Sequence, residues 1–377
     1  MRHRKIPLKR LSLHARTNPY AYMDKKNTIP GLFGQKHASR DYTQEKFWGK
    51  NQFNSSFPAS LVAYMSYKNI NPVYLCVDKN NSITHTYISG EDLFGINPLS
   101  EKLYYNFETN YVPYEKYYIG KREHIDLVLT DYETNQAIKG LEIKLTALPD
   151  STTDTLPEEQ YSCEIVVRPS TICYLACSIC QHYDSTKGRN KLKKLLGDFP
   201  KIKHWDVADE VIPFYPGIMD ALARIAKDIH DKQTPLMIQP IWKTNGRKPQ
   251  LAEYCLDVFV WSNLAAIHLC TQGERDIRKI SRPNRSLIWI YKMLFDFYVY
   301  GHFDYDNTIN DLAYGTKNDK AFSVSGQVSY PLLKSPELTQ PRIRKDEIKN
   351  IILGGGQNLL SPERRFDAII VNSPELF

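Results

Sequence analysis

Two short apolar runs in this chain carry charge where a strand core would not. One reads His124-Ile125-Asp126-Leu127-Val128, and the other, after a polar turn, Gly140-Leu141-Glu142-Ile143-Lys144-Leu145. Side chains of a strand alternate between its faces, so Glu142 and Lys144, two apart, share one. If the two runs pair, Asp126 adds a second carboxylate to that face. Two carboxylates can hold Mg²⁺, a hard cation that takes oxygen ligands and works on phosphates. A nearby ammonium can orient a water and offset charge on an attacked phosphate. The chemistry this set points to is phosphodiester hydrolysis.

A bare acid-x-Lys match is cheap: it occurs at Asp24-Lys25-Lys26, at Glu142-Ile143-Lys144 and at Glu347-Ile348-Lys349. The first lies in a basic arm and the third in a charged run at a helix start. Only the middle one lies in an apolar strand that directly follows a strand with its own Asp. The competing reading of that site is a solvent-facing strand with a cross-strand salt bridge.

The elements that must position these residues follow from the hydrophobic pattern. Residues 1–54 are basic, polar and broken by Pro and Gly, which reads as an extended arm. A helix is expected over 56–68, where Leu61, Val62 and Met65 recur at helical spacing behind Pro58. Strands are expected at Val73–Val77 and Ile83–Ile88 around the turn 78–81, then at 117–119, 125–130, 138–146 and 163–167. Beyond Arg168-Pro169 the pattern turns helical at 171–182, 189–196, 217–230, 251–270 and 285–299, with a strand-like interruption at 235–242. Short strands and loops are expected from Phe322 onward. The fold class is therefore α/β or α+β.

Composition narrows the function classes. The 377 residues include 49 Lys+Arg against 42 Asp+Glu, a net charge of +7, and 24% charged residues, which excludes a disordered tail protein. No run approaches the roughly 18 uninterrupted apolar residues of a membrane span, so no membrane association is expected. The basic start lacks an apolar stretch, so no secretory signal is expected. Seven scattered cysteines fit free thiols in a reducing compartment, the cytoplasm. Mild basicity with 25 tyrosines is compatible with nucleic-acid binding.

Ile125-Asp126 followed by Gly140-Leu-Glu142-Ile-Lys144-Leu-Thr-Ala-Leu-Pro-Asp150 resembles the PD-(D/E)xK nuclease motif as it appears in type II restriction endonucleases of the HindVP family. The resemblance runs from the helix near Phe57 through Tyr74-Leu75, both motif strands and Glu164-Ile-Val-Val-Arg168-Pro to Tyr174-Leu-Ala176. It departs in one place, with Ile125 where the motif name has Pro. It implies a PD-(D/E)xK core, a mixed central sheet flanked by helices, in a bacterial, cytoplasmic enzyme. Its activity would be Mg²⁺-dependent, sequence-specific cleavage of double-stranded DNA at a short palindrome of the GRCGYC type. Asp126 and Glu142 would be metal ligands and Lys144 the catalytic lysine. The core would span 55–182, and 183–377, a helical and mixed region continuous with it, would serve DNA recognition and dimerisation. A palindromic target also implies a homodimer.

Two alternatives stay open: a repair or junction nuclease of the same superfamily, and a non-catalytic DNA-binding protein with a surface salt-bridge cluster at 126, 142 and 144.

Other features weigh less. Lys187, Arg189, Lys191, Lys193 and Lys194 put five positive charges into eight residues, and Arg275, Arg278, Lys279, Arg282 and Arg285 put five into eleven. Such runs are commonly solvated helix faces, yet in a nuclease they are also where phosphate contacts lie, and Arg beside Asn284 suits base edges. The loop with Lys243, Asn245 and Arg247 is a similar candidate. Cys173, Cys177 and Cys180 with His182 have a zinc-like spacing, but they fall on one helix face, which favours core packing. Gly354-Gly355-Gly356 lacks the Lys-Ser/Thr of a P-loop and reads as a flexible turn; no nucleotide cofactor is expected. Glu108 or Glu115 would be the source of any further carboxylate.

Overall fold

The computed structural model describes residues 56–100, 102–109, 114–121, 124–144, 164–197, 201–244, 251–271, 275–318, 320–325 and 340–352. The arm 1–54 lies outside them.

Two tight turns set the hairpins. Asp78 Oδ1 accepts from the Asn80 and Ser82 amides while Asn81 takes a positive φ of 62°, which joins β1 (Val73–Val77) to β2 (Ile83–Tyr87). Asp131 Oδ1 accepts from Glu133 and Thr134, and Asn135 sits at φ 54°. That turn joins β5 (Ile125–Asp131) to β6 (Ala137–Ile143). Asn tolerates these left-handed positions better than most residues with a Cβ.

Further strands are β3 (Leu103–Thr109), β8 (Pro235–Thr244), β9 (Leu251–Ser262) and β12 (Ile343–Arg344). Among the described residues eight strands form one mixed sheet in the order β2-β1-β9-β8-β6-β5-β3, with β12 also on β9. The pairs β1–β9 and β6–β8 are parallel, the others antiparallel. One face packs on the helix Ser56–Lys68 through Leu61, Val62 and Met65 against Leu141, Ile143, Val258 and Val260. The other packs on the helix Pro169–Cys180 and on the long helix Arg282–Tyr300, which gathers the helices Thr186–Leu196, Tyr215–Asp228 and Asn263–Cys270 around it. This is the expected mixed sheet flanked by helices. No helix among the described residues is long and apolar enough to cross a membrane.

One element differs in kind. Residues 251–270, expected as a helix, are the strand β9 followed by the helix Asn263–Cys270. β9 is central and buried on both faces: Val258 and Val260 enter one core, Phe259 and Trp261 the other. Such a strand loses polar alternation and reads as a continuous apolar run. The sheet therefore takes two central strands from 235–262, beyond the 55–182 span, and it also takes β3, which the sequence pattern did not reveal.

Candidate active site

β5 and β6 pair antiparallel with Leu127 opposite Leu141 and Val128 opposite Gly140. One place further along that register, Asp126 stands opposite Glu142. The Asp126 Oδ2 atom accepts from the Ile143 amide at 2.7 Å, which fixes the carboxylate across the strand boundary. On its other side β6 is held by β8, Glu142 against Met237, and the Lys144 amide donates to the Ile238 carbonyl at 2.8 Å. Lys144 thus continues the strand geometry past Ile143 and keeps the face of Glu142.

The Lys144 ammonium donates to Glu142 Oε2 at 3.3 Å and to Thr171 Oγ1 at 3.0 Å. Glu142 is 4% exposed, Lys144 8% and Thr171 2%, so the pair is no solvated surface bridge. Thr171 lies in the first turn of the helix Pro169–Cys180, where Pro169 begins the helix after the extended Arg168. One turn on, the Tyr174 hydroxyl donates to the Gly140 carbonyl at 2.8 Å.

Burial pushes the Glu142 carboxyl up to about 8; Lys144 opposes this shift and the Asp126 carboxylate adds to it. Glu142 Oε1 is buried with no hydrogen-bond donor among the described residues. An acceptor buried in this way beside a second carboxylate is satisfied by a shared proton or by a cation. The donor set, carboxylate oxygens only, fits a hard divalent ion such as Mg²⁺. Among the described residues no third His, Cys, Asp or Glu completes a cluster with them. Glu115 is exposed in a short turn, and Glu108 falls on β3.

The remaining residues singled out in the sequence are dispersed. Lys187 is exposed, Arg189 half-buried, and Lys191 pairs with Asp228 at 2.5 Å, all on the helix Thr186–Leu196 whose Leu192 and Leu196 are buried. Lys243 is half-buried near the end of β8; Asn245 and Arg247 lie outside the described residues. Arg278 is exposed and Arg282 half-buried.

Asn284 and Arg285 are turned inward instead of toward a ligand. Asn284 forms the capping box with Ser281 and donates to the Tyr215 hydroxyl at 2.6 Å. The Arg285 guanidinium is fully buried over Trp289 and bonds to Thr316, Asn318 and the carbonyls of Lys317, Lys320 and Ala321. Their side chains cap and anchor a helix, which accounts for their polarity without DNA. Cys173, Cys177 and Cys180 pack in the core, where burial pushes the thiols of Cys177 and Cys180 up, away from the thiolate a metal requires.

Thr171 carries no signal in the sequence that marks it for this site. Gly140 does carry one, although its role was not among the expectations: a lone glycine inside an apolar strand marks a close backbone approach.

Comparison with known proteins agrees with the resemblance. The family model described as HindVP restriction endonuclease matches residues 48–377. The type II restriction enzyme HgiDI of Herpetosiphon aurantiacus is 43% identical over 353 residues, covering 92% of this chain and 97% of its own length. The probable type II restriction enzyme HindVP of Haemophilus influenzae is 42% identical over 360 residues, 93% of this chain and 96% of its own length. No solved structure matches the chain. The chain belongs to the HindVP restriction endonuclease family, a family of type II restriction enzymes.

Proposed function

We propose that this site-specific deoxyribonuclease cuts double-stranded DNA in a Mg²⁺-dependent reaction at a short palindrome of the GRCGYC type. We read it as a homodimer with one Asp126/Glu142/Lys144 site per strand, acting in the bacterial cytoplasm without a nucleotide cofactor. The observation that carries the site assignment is the buried Lys144 ammonium held between Glu142 and Thr171 while Asp126 stands across from Glu142. A structural salt bridge has no need of a second carboxylate next to a buried, donor-free oxygen.

In this reading Asp126 and Glu142 would hold the cation. When bound, it would supply a Lewis acid at the phosphate and a more acidic water. Lys144 would place an ammonium at the face where charge develops on the attacked phosphate, in a largely buried setting where such a charge acts strongly. The Ile143 amide fixes the Asp126 carboxylate by one of its oxygens, and that carboxylate would help hold the cation.

The test is digestion of phage DNA with the wild type, Lys144→Ala, Asp126→Asn and Glu142→Gln, each with Mg²⁺ and with chelator. The expected result is discrete bands from the Mg²⁺-supplied wild type alone, with Lys144→Ala still shifting a duplex that carries the site. Full cleavage by Lys144→Ala overturns the site assignment. Nicking that follows DNA structure identifies a repair or junction nuclease instead, and binding without any cleavage identifies a silent DNA-binding protein.

A further inference from the structure

We propose that Thr171 is a positioning residue for cleavage, its hydroxyl aiming the Lys144 ammonium; this rests on the site reading above. An ammonium has three N–H donors and, on a four-carbon stem, many rotamers. Here two donors are directed, one to Glu142 Oε2 at 3.3 Å and one to Thr171 Oγ1 at 3.0 Å. The closer partner is the neutral hydroxyl, which comes from a different element than the strand carrying both charges. Glu142 alone leaves the lysine free to swing about one contact. Thr171 supplies the second point that fixes its direction, so the third N–H is aimed rather than averaged.

The hydroxyl can do this because its helix is itself held in register. Tyr174, three residues on and hence on the same helix face, donates to the Gly140 carbonyl of the strand that carries Glu142. Helix and strand are therefore tied at two points, Tyr174 to Gly140 and Thr171 to Lys144. Thr171 is 2% and Lys144 8% exposed, so water competes little for this contact. A threonine kept only for packing would present its methyl group equally well as valine.

The experiment compares steady-state cleavage of a single-site duplex by wild type, Thr171→Val and Thr171→Ser, with Lys144→Ala alongside. Valine keeps the shape and removes the acceptor; serine keeps the acceptor and removes a methyl. Thr171→Val is expected to lower kcat by about 10- to 100-fold, the scale of losing a hydrogen bond to a charged group and letting a reacting group drift, with KM unchanged. Thr171→Ser is expected to recover most of that rate. Wild-type kcat in Thr171→Val overturns the proposal, and so does a Thr171→Ser defect as large as that of valine, which would mark a packing role. An active Lys144→Ala instead overturns the site reading itself, so the two failures are told apart.

Discussion

Gly140 and Tyr174 meet so closely that the glycine is a steric requirement. A Cβ at position 140 would lie 2.7 Å from the Tyr174 hydroxyl oxygen and 3.1 Å from Ile125 Cγ2. Gly140→Ala is therefore expected to push the helix off the strand, at a cost of about 1–3 kcal/mol of stability, as other overpacked cores lose, and to lower cleavage because Thr171 moves with the helix. Adding Tyr174→Phe removes the nearest obstructing atom and is expected to restore part of the stability. Urea unfolding of the two variants checks this; a double variant no better than Gly140→Ala would mean that Ile125 is the real obstacle.

Arg285 separates a structural arginine from a base-reading one. Its buried guanidinium satisfies the carbonyls of Lys317, Lys320 and Ala321, in the segment that leads into β11 (Phe322–Ser325), and β11 pairs with β7 (Glu164–Val167) next to the helix of Thr171. Arg285→Met is expected to cost about 2–3 kcal/mol, since a buried guanidinium and its bonds to Thr316, Asn318 and three carbonyls are lost together. Sequence preference on target and near-target duplexes should stay unchanged. A stable variant with relaxed preference at one base pair would return Arg285 to the DNA.

Acid stability should report on His182. Burial lowers its pKa, with Lys232 pushing the same way, and its Nε2 is buried with no partner among the described residues. A histidine whose folded pKa lies below its unfolded value binds fewer protons when folded. Its contribution is therefore fully present above the ordinary value of about 6.5 and is lost as pH falls through the lowered folded value. The wild type is expected to lose stability between pH 7 and pH 5, and His182→Gln to lose less over the same window. Parallel urea-midpoint curves for the two proteins would show that His182 does not contribute.

The motif and its strands were legible because a charged triplet inside apolar runs is locally improbable and strand alternation places it without tertiary knowledge. The helices Pro169–Cys180 and Arg282–Tyr300 were legible from spacing, their expected bounds falling within about a turn of those observed. β9 was not, because burial on both faces erases the pattern that distinguishes strand from helix. The inward packing of Asn284 and Arg285 is hidden for a related reason. A buried polar side chain satisfied by distant carbonyls looks, in sequence, the same as one facing a ligand. Thr171 was invisible because its partner is 27 positions away and only the fold brings the two together.

The helix Thr186–Leu196 keeps Lys187 and Lys194 exposed along one face, while Lys191 pairs with Asp228 and Lys193 sits over the Tyr298 ring at 5.7 Å. If this face meets phosphates, neutralising Lys187, Lys191 and Lys194 together should weaken binding to all duplexes alike. It should also flatten the salt dependence by about 0.9 log units for each phosphate that is no longer neutralised. An unchanged slope in a filter-binding series would mark the face as merely solvated.

Assembly is the last expectation, and it follows from symmetry. A palindromic target presents two equivalent strands related by a twofold axis, and this chain carries a single Asp126/Glu142/Lys144 set. Cutting both strands in one encounter then takes two subunits, and a symmetric dimer matches protein symmetry to that of the DNA. The aromatic helix Arg282–Tyr300 is not the surface for it over most of its length, since Trp289, Tyr291 and Phe297 are buried in the core; only its end, with Val299 and Tyr300, is exposed. Light scattering of the complex on a single-site duplex is expected to give two chains of 43.7 kDa plus DNA. One chain per duplex, with both strands cut without dissociation, would refute the dimer and require the single site to turn over twice on one molecule.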